Sequence, residues 1–386
     1  MKPRICIITF ATVQDRRLYR QAEYITPYFD VTAVSYAEIE RPIPDVEWRL
    51  IDETVTPWDK FADRALLVAG KALPRLYDAW FWRRKRYHDA LQSAIDSQAD
   101  IFQANDWAAL AVAVEAAKQT GKCAVYDAHE YWRLESENNP AWLRFFSPLI
   151  QHIERRYLPR TKAVVTVCAP IAERYRADYG VPVDIIMNAP AAVPLPPSHP
   201  PDPAHIRLIH HGSAVRDRML ERMIETLTLT DSRFTLDFML LEVDSGYIDE
   251  LKALSDRLAP GRVRFLPAIP AEQVISTIAA YDMGIYILPQ RSYNYYMALP
   301  NRFFDFIAAG LAVCIGPSPA MTTLVEQHGF GVIAPTFEAA DAAAALNALT
   351  AAQIEQMRAQ AREAAALYTA ERENHKFVEL FQRLLS

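Results

Sequence analysis

Three short stretches hold the residues whose types and spacing could do chemistry. In RLIHHGSAVRDRMLERMIETL, 207–227, a strand-like run ends in His-Gly at Gly212, a short turn through Ser213 follows, and Arg216 and Arg218 lie just beyond. A glycine lets the backbone come close to a ligand. A helix beginning near Val215 would add free N–H groups and a partial positive charge, and two guanidinium forks suit a diphosphate. In YNYYMALPNRFFDFIAAGLAVCIG, 293–316, Pro300 stands where a helix could start. Asn301 and Arg302 then fall in its first turn, facing an anion, and Asp305 lies one turn further on as a hydrogen-bond acceptor. Gly310 is placed to end that helix. In VYDAHEYWRLES, 125–136, a buried strand runs into Asp127, His129 and Glu130. Ionisable groups clustered at a strand's carboxyl end stand where α/β sheets bind ligands. Each stretch also fits a plainer reading: a β-α turn with solvated arginines, a capped helix, and a structural histidine.

The elements that must position these residues alternate along the chain. RICIITF, FDVTAVSY, ADIFQAN, KCAVYDA, KAVVTVC and VDIIMN read as strands. Helical patterns over 15–28, 76–98, 107–120, 142–158 and 170–178 separate them. Beyond residue 205 the order repeats. HIRLIHH, RFTLDFMLL, RVRFLPA, DMGIYIL and LAVCIG are strand-like, with helices over 215–228, 247–258, from Pro270, and near 301–309. Continuous apolar strands alternating with helices predict an α/β protein with two doubly wound, Rossmann-like parallel sheets. Between the halves, APAAVPLPPSHPPDPAH places seven prolines in seventeen residues, which suits a stiff extended hinge. The expected organisation is an N-terminal domain over 1–188, a hinge over 189–205, a C-terminal domain over 206–365 and a helix over 366–386 crossing back to the first domain. Ligand would bind in a cleft between the two sheets.

Composition excludes several function classes. The chain has 386 residues, enough for two ordinary cores, and a formal net charge of −6 carried by its second half. That balance argues against a nucleic-acid partner. The four cysteines, Cys6, Cys123, Cys168 and Cys314, lie in or beside apolar runs without a CxxC pair and read as buried thiols of a reducing compartment. No apolar run approaches the roughly 18 residues of a membrane span, so a cytoplasmic protein is expected. PRLYDAWFWRRKRYHDAL, 74–91, sets aromatics beside cations and is a candidate for peripheral contact with anionic lipid at the inner membrane face. A core helix with a solvated basic face is the alternative.

The ordered set of motifs resembles glycosyltransferase family 4, the group 1 glycosyltransferases of GT-B fold. YDAHE with the later IERRYLPRTKAVVTVCAPIAERYRADYG, the opening DRRLYRQAEYI, and QANDWAALAVAVEAA look like its N-domain. HHGSAVRDRMLE resembles its phosphate-binding strand–turn–helix. LPNRFFDFIAAGLAVCIG resembles its segment P-[SN]-K followed by an acidic residue, an A-x-G turn and a strand. The resemblance implies a nucleoside diphosphate sugar as donor, with Arg216 and Arg302 on the diphosphate and Asp305 in place of the glutamate that binds the ribose. His129 would line the sugar pocket. The acceptor would be a glycan, a lipid-linked or a small molecule.

The sequence also departs from the family pattern. TFATVQD lacks the paired glycines of the first loop, Met297 stands where the first glutamate of E-x7-E would fall, and LLEVDSGYIDELK offers no clear second cation. The implied chemistry is retaining transfer without a metal or other cofactor, arginines and helix N-termini meeting the leaving-group charge. No G-x-S-x-G elbow supports a serine hydrolase. A UDP-sugar epimerase and a catalytically degenerate nucleotide-sugar binder are the competing readings.

Overall fold

A computed structural model describes residues 2–10, 16–36, 42–51, 57–197 and 199–386. They form two units. The first comprises Met1–Met187, Ser292–Asn294 and Glu373–Ser386, and the second Asn188–Arg291 and Tyr295–Arg372.

The first unit is built on seven strands: β1 Arg4–Thr9, β2 Asp30–Tyr36, β3 Val46–Ile51, β4 Ile101–Asn105, β5 Cys123–Ala128, β6 Ala163–Thr166 and β7 Asp184–Ile185. All pair in parallel, in the order β3-β2-β1-β4-β5-β6-β7. This is the doubly wound order, with the sheet reversing direction between β1 and β4. The central strands are buried along their length, because crossover helices cover both faces of such a sheet. The helices are α1 Arg16–Ile25, α2 Pro57–Gly70, α3 Arg75–Trp82, α4 Lys85–Asp96, α5 Asp106–Thr120, α6 Ser147–Tyr157 and α7 Ala169–Tyr179.

Three sequence expectations change here. Helix 76–98 is two helices, broken where Arg84 turns extended. The break lets Arg83 and Arg84 converge on Asp63, with Arg83 also on Asp59. Trp80 and Phe81 are buried, so the aromatic half of segment 74–91 belongs to the core. Helix 142–158 opens with a π turn over Trp142–Phe146, in which Ser147 donates to the carbonyl of Trp142. Pro148 follows without an N–H and cannot make an α-type bond there.

The second unit carries β8 Ile206–Ala214, β9 Phe234–Glu242, β10 Val263–Pro267, β11 Met283–Tyr286, β12 Ala312–Ile315 and β13 Gly331–Ile333, all parallel, in the order β10-β9-β8-β11-β12-β13. Its helices are α8 Glu221–Leu229, α9 Tyr247–Leu258, α10 Ala271–Ile278, the short α11 Tyr293–Met297 whose first two residues belong to the first unit, α12 Asn301–Ala308, α13 Pro319–His328, α14 Ala339–Asn347 and α15 Ala351–Ala365. The expected helix over 215–228 is corrected. The strand runs on to Ala214, a 3-10 turn occupies Arg216–Arg218, Met219 is left-handed at φ 47°, and α8 starts at Glu221. The helical tail 351–386 is likewise divided into α15 and α16 Ala370–Leu385.

From α16, Phe377, Val378, Leu380 and Phe381 pack into the first unit's core with Ile5, Ile7, Phe29 and Val31. Cys6, Cys168 and Cys314 are buried, Cys123 is half-buried, and all four are free thiols. Among the described residues no helix is long and apolar enough to cross a membrane.

Candidate functional site

In the second unit the site grows from Arg302. Pro300 caps α12 in an extended conformation, which puts exposed Asn301 and buried Arg302 in the first turn. The Arg302 guanidinium donates to Nε2 of His210 at 2.6 Å and lies 5.1 Å from the centre of the Tyr286 ring. His210 is fully buried, and its Nδ1 stands 2.9 Å from the carbonyl of Ile285. An arginine can only donate and a carbonyl can only accept, so the ring is neutral with its proton on Nδ1. Burial, and then the charge of Arg302, hold His210 far below the usual histidine range. Burial also lowers Arg302, to about 10, and the like charge of Arg218 acts in the same direction.

Gly212 is what makes room. Its φ is 114°, and a Cβ there would stand 2.6 Å from Nη2 of Arg302. Beside it, half-buried Arg218 donates to the carbonyl of half-buried Ser213 at 3.1 Å. Asp305, on the next turn of α12, lies 3.6 Å from Nε2 of His211. Gly212, Ser213, Arg218, Pro300, Asn301, Arg302 and Asp305 therefore belong to one end of β8 and the start of α12. Arg216 points elsewhere. It is exposed, forms an ion pair with Glu250 and stacks 4.9 Å from the Tyr247 ring. Its hydrogen bonds to Glu250 raise it above the usual arginine range. No helix begins at Val215, so α12 is the helix start left to supply backbone donors to this group.

In the first unit, β5 delivers Asp127 to a fully buried position. Arg17 of α1 holds it with two hydrogen bonds, 3.1 Å from Nε and 2.7 Å from Nη2, and gives a third to the carbonyl of Ile186. Burial pushes the Asp127 carboxyl up, but Arg17 and then His129 outweigh it and bring it down to about 2. His129 lies 3.4 Å from Asp127 and 3.5 Å from Asp106. Burial opposes its charge, yet the two carboxylates hold it at about 9. Asp106 opens α5 at φ 66°, and accepts from the His129 backbone N–H at 3.0 Å and from Trp132 Nε1 at 2.7 Å. Glu130 behaves in the opposite way. Burial, then the charges of Glu135 and Asp106, raise it to about 8, and its buried Oε2 has no hydrogen-bond partner. Burial thus favours the neutral carboxyl of Glu130, while the two carboxylates favour the charged imidazolium of His129. Asn294 joins this group, accepting from the Tyr131 N–H at 2.9 Å and donating to Glu135 at 2.8 Å.

Sequence reasoning did not find Arg17, Asp106, Glu135, Asn294 or His210. All five lie in stretches that the sequence singles out, but only the fold shows what each side chain touches. The glycine-poor loop TFATVQD falls mostly on 11–15, outside the described residues.

Residues 48–189 match the model of Glycosyltransferase Family 4. No curated protein matches the sequence significantly. The matched stretch is less than half of the chain and lies in its first half. Among solved structures, this GT-B chain is similar to HepE from Anabaena in complex with UDP, at TM-score 0.72 and 16% identity over 99% of this chain and 100% of that one. It is similar to sucrose-phosphate synthase from Thermosynechococcus elongatus, at TM-score 0.70 and 15% identity over 100% and 99%. The apo lipopolysaccharide outer core galactosyltransferase WaaB gives 0.69 and 12% over 98% and 99%. These likenesses establish GT-B as the fold.

Proposed function

We propose that this enzyme moves a sugar from a nucleoside diphosphate sugar to an acceptor, with retention at the anomeric carbon and without a metal ion. The observation that carries the reading is the arginine pair at Gly212. Arg302 is buried, Arg218 lies within electrostatic reach of it, and each is favoured by an anion placed beside both. A diphosphate has the charge and the oxygens to accept from two guanidiniums and from the start of α12. When the bond to the sugar breaks, negative charge grows on the leaving diphosphate, and donors already fixed in place stabilise it without rearranging. His210 fixes one of them.

UDP-sugars are the favoured donors, because the HepE structures are complexes with UDP, with UDP and glucose, and with UDP-glucose. Asp305 is assigned to the nucleotide ribose and His129 to a hydroxyl of the sugar. Arg216 is given a secondary role, since an anion would have to compete with Glu250 for it. The acceptor is a glycan, a lipid-linked or a small molecule, met in the cytoplasm or at the inner face of the membrane. Membrane contact remains part of the reading, but Trp80 and Phe81 of 74–91 are buried and do not provide it.

The test is calorimetric titration of UDP and UDP-glucose against the wild type and two variants. Arg302→Ala is expected to weaken UDP binding at least tenfold, about 1.4 kcal/mol, while Arg302→Lys retains more of it and Arg216→Ala changes it less. If UDP-, GDP- and ADP-sugars all fail to shift the wild-type melting temperature, the reading falls. Conversion of a UDP-sugar without any acceptor product would replace it with the epimerase.

A further inference from the structure

We propose that the outer face of α2, with the cavity at its base, docks the enzyme on a bilayer containing anionic phospholipid, the cavity taking one acyl chain. The proposal gives the membrane part of the reading above a place in the fold, and it uses no residue of the donor site. Trp58, Phe61, Ala65, Val68 and Ala72 follow one another at intervals of three or four residues, so they form one stripe along α2 and its final turn. In a helix of a water-soluble fold such a stripe faces the core. Here every member is exposed: Trp58 74%, Phe61 64% and Val68 57%. The Trp58 and Phe61 rings stack at 5.6 Å, and Leu73 and Leu143 extend the apolar surface.

At the base of the stripe is a cavity of about 550 Å³, within the usual range for small-molecule sites. Leu67, Val68, Trp80, Ala141, Phe145 and Phe146 give it an apolar wall. Trp80 is buried, and its indole N–H has no hydrogen-bond acceptor, although buried tryptophans normally find one. Charge selects the occupant. Arg64, Lys71, Arg75 and Arg144 are exposed around the stripe, and Lys71 and Arg144 both stand within 6 Å of the Phe145 ring centre. Two carboxylates of α2, Asp59 and Asp63, are held by Arg83 and Arg84. An apolar stripe rimmed by cations matches the boundary between acyl chains and anionic headgroups.

The experiment is co-sedimentation of the full chain with vesicles of phosphatidylcholine alone or mixed with phosphatidylglycerol, at low and high salt. The wild type is expected to pellet with the anionic vesicles and to be released by salt. Trp58→Ser with Phe61→Ser, both on exposed positions, is expected to weaken binding at least tenfold while leaving the melting temperature and the UDP-induced shift unchanged. Arg64→Gln with Lys71→Gln should weaken binding to anionic vesicles alone, and Lys85→Gln should have little effect. The proposal is overturned if the wild type does not pellet, or if the Trp58/Phe61 variant pellets like the wild type. It is also overturned if sedimentation velocity shows a dimer that this variant dissolves, which would assign the stripe to a second copy of the chain. Vesicle binding and the UDP shift are separate readouts, so either idea can fail without the other.

Discussion

His129 stands between the carboxylates of Asp106 and Asp127, with Arg17 behind the second and Glu130 next in the chain. Its folded-state pKa is raised to about 9 from an ordinary 6.5. A group raised in this way contributes stability that is fully present below pH 6.5 and is lost as pH rises through 9. A tenfold change in proton affinity is worth about 1.4 kcal/mol, so the contribution is on the order of a few kcal/mol. The expected result is that wild type exceeds His129→Gln in stability at pH 6, and that the gap closes between pH 6.5 and 9. Urea denaturation across that range measures it. A gap constant from pH 6 to 10 would mean that His129 is neutral and that the two carboxylates do not act on it. Glu130, raised from 4.5 to about 8, loses stability in the same direction over an overlapping window, because the unfolded carboxyl ionises while the buried one resists it. The comparison is therefore made between two proteins that both retain Glu130.

At the scale of elements, β8 decides where the proposed donor site lies. It pairs with β9 as far as Ala214 opposite Glu242, so Gly212 is a strand residue and not part of a turn. Its φ of 114° is one that side-chain-bearing residues rarely adopt, and the space a Cβ would fill is held by Arg302. Gly212→Ala is expected to cost about 1–3 kcal/mol of strain and to displace Arg302, lowering UDP affinity more than Arg216→Ala does. Denaturation and nucleotide titration of the two variants measure both effects, and full UDP affinity in Gly212→Ala would separate the glycine from the site.

The sequence made much of this legible and hid a specific part. The buried strands were readable because parallel strands covered on both faces are continuous apolar runs. Pro300 and Gly310 marked the ends of α12 through their own backbone chemistry. The end of β8 was not readable, because His-Gly-Ser looks like a turn until β9 is known to pair with it. The edge strand β3 escaped because Glu47 and Arg49 interrupt its pattern, and β13 because it has three residues. The partners of the chemical groups were hidden for a simpler reason. Arg17 and Asp127 are 110 residues apart and His210 and Arg302 are 92 apart, distances at which local spacing carries no signal.

Among the described residues, each sheet carries a buried apolar cluster, and the chain does not assign its residues to the two clusters in order. Ile5, Ile7, Val31, Ile101, Val125 and Val165 form the first core together with Phe377 and Phe381 from the end of the chain. Leu208, Leu236, Phe238, Ile285 and Leu346 belong to the second. Phe381 is fully buried and meets Phe29 edge-on at 5.7 Å. The first sheet thus depends on a helix that follows the second unit in the chain, and α16 is a structural part of the first unit. Met187 reinforces this by donating its backbone N–H to Glu373 at 2.7 Å. Truncating a buried phenylalanine typically costs 3–5 kcal/mol (about that range here), because the cavity left behind closes only in part. Phe381→Ala should therefore loosen the first unit while the second keeps its own core. Hydrogen exchange read by mass spectrometry distinguishes the two. Protection should fall over β1, β2 and α1, and persist over β8, β9 and β12, where UDP should still increase it. An equal loss over both sheets would show that the units unfold as one, and that the terminal helix stabilises the enzyme as a whole.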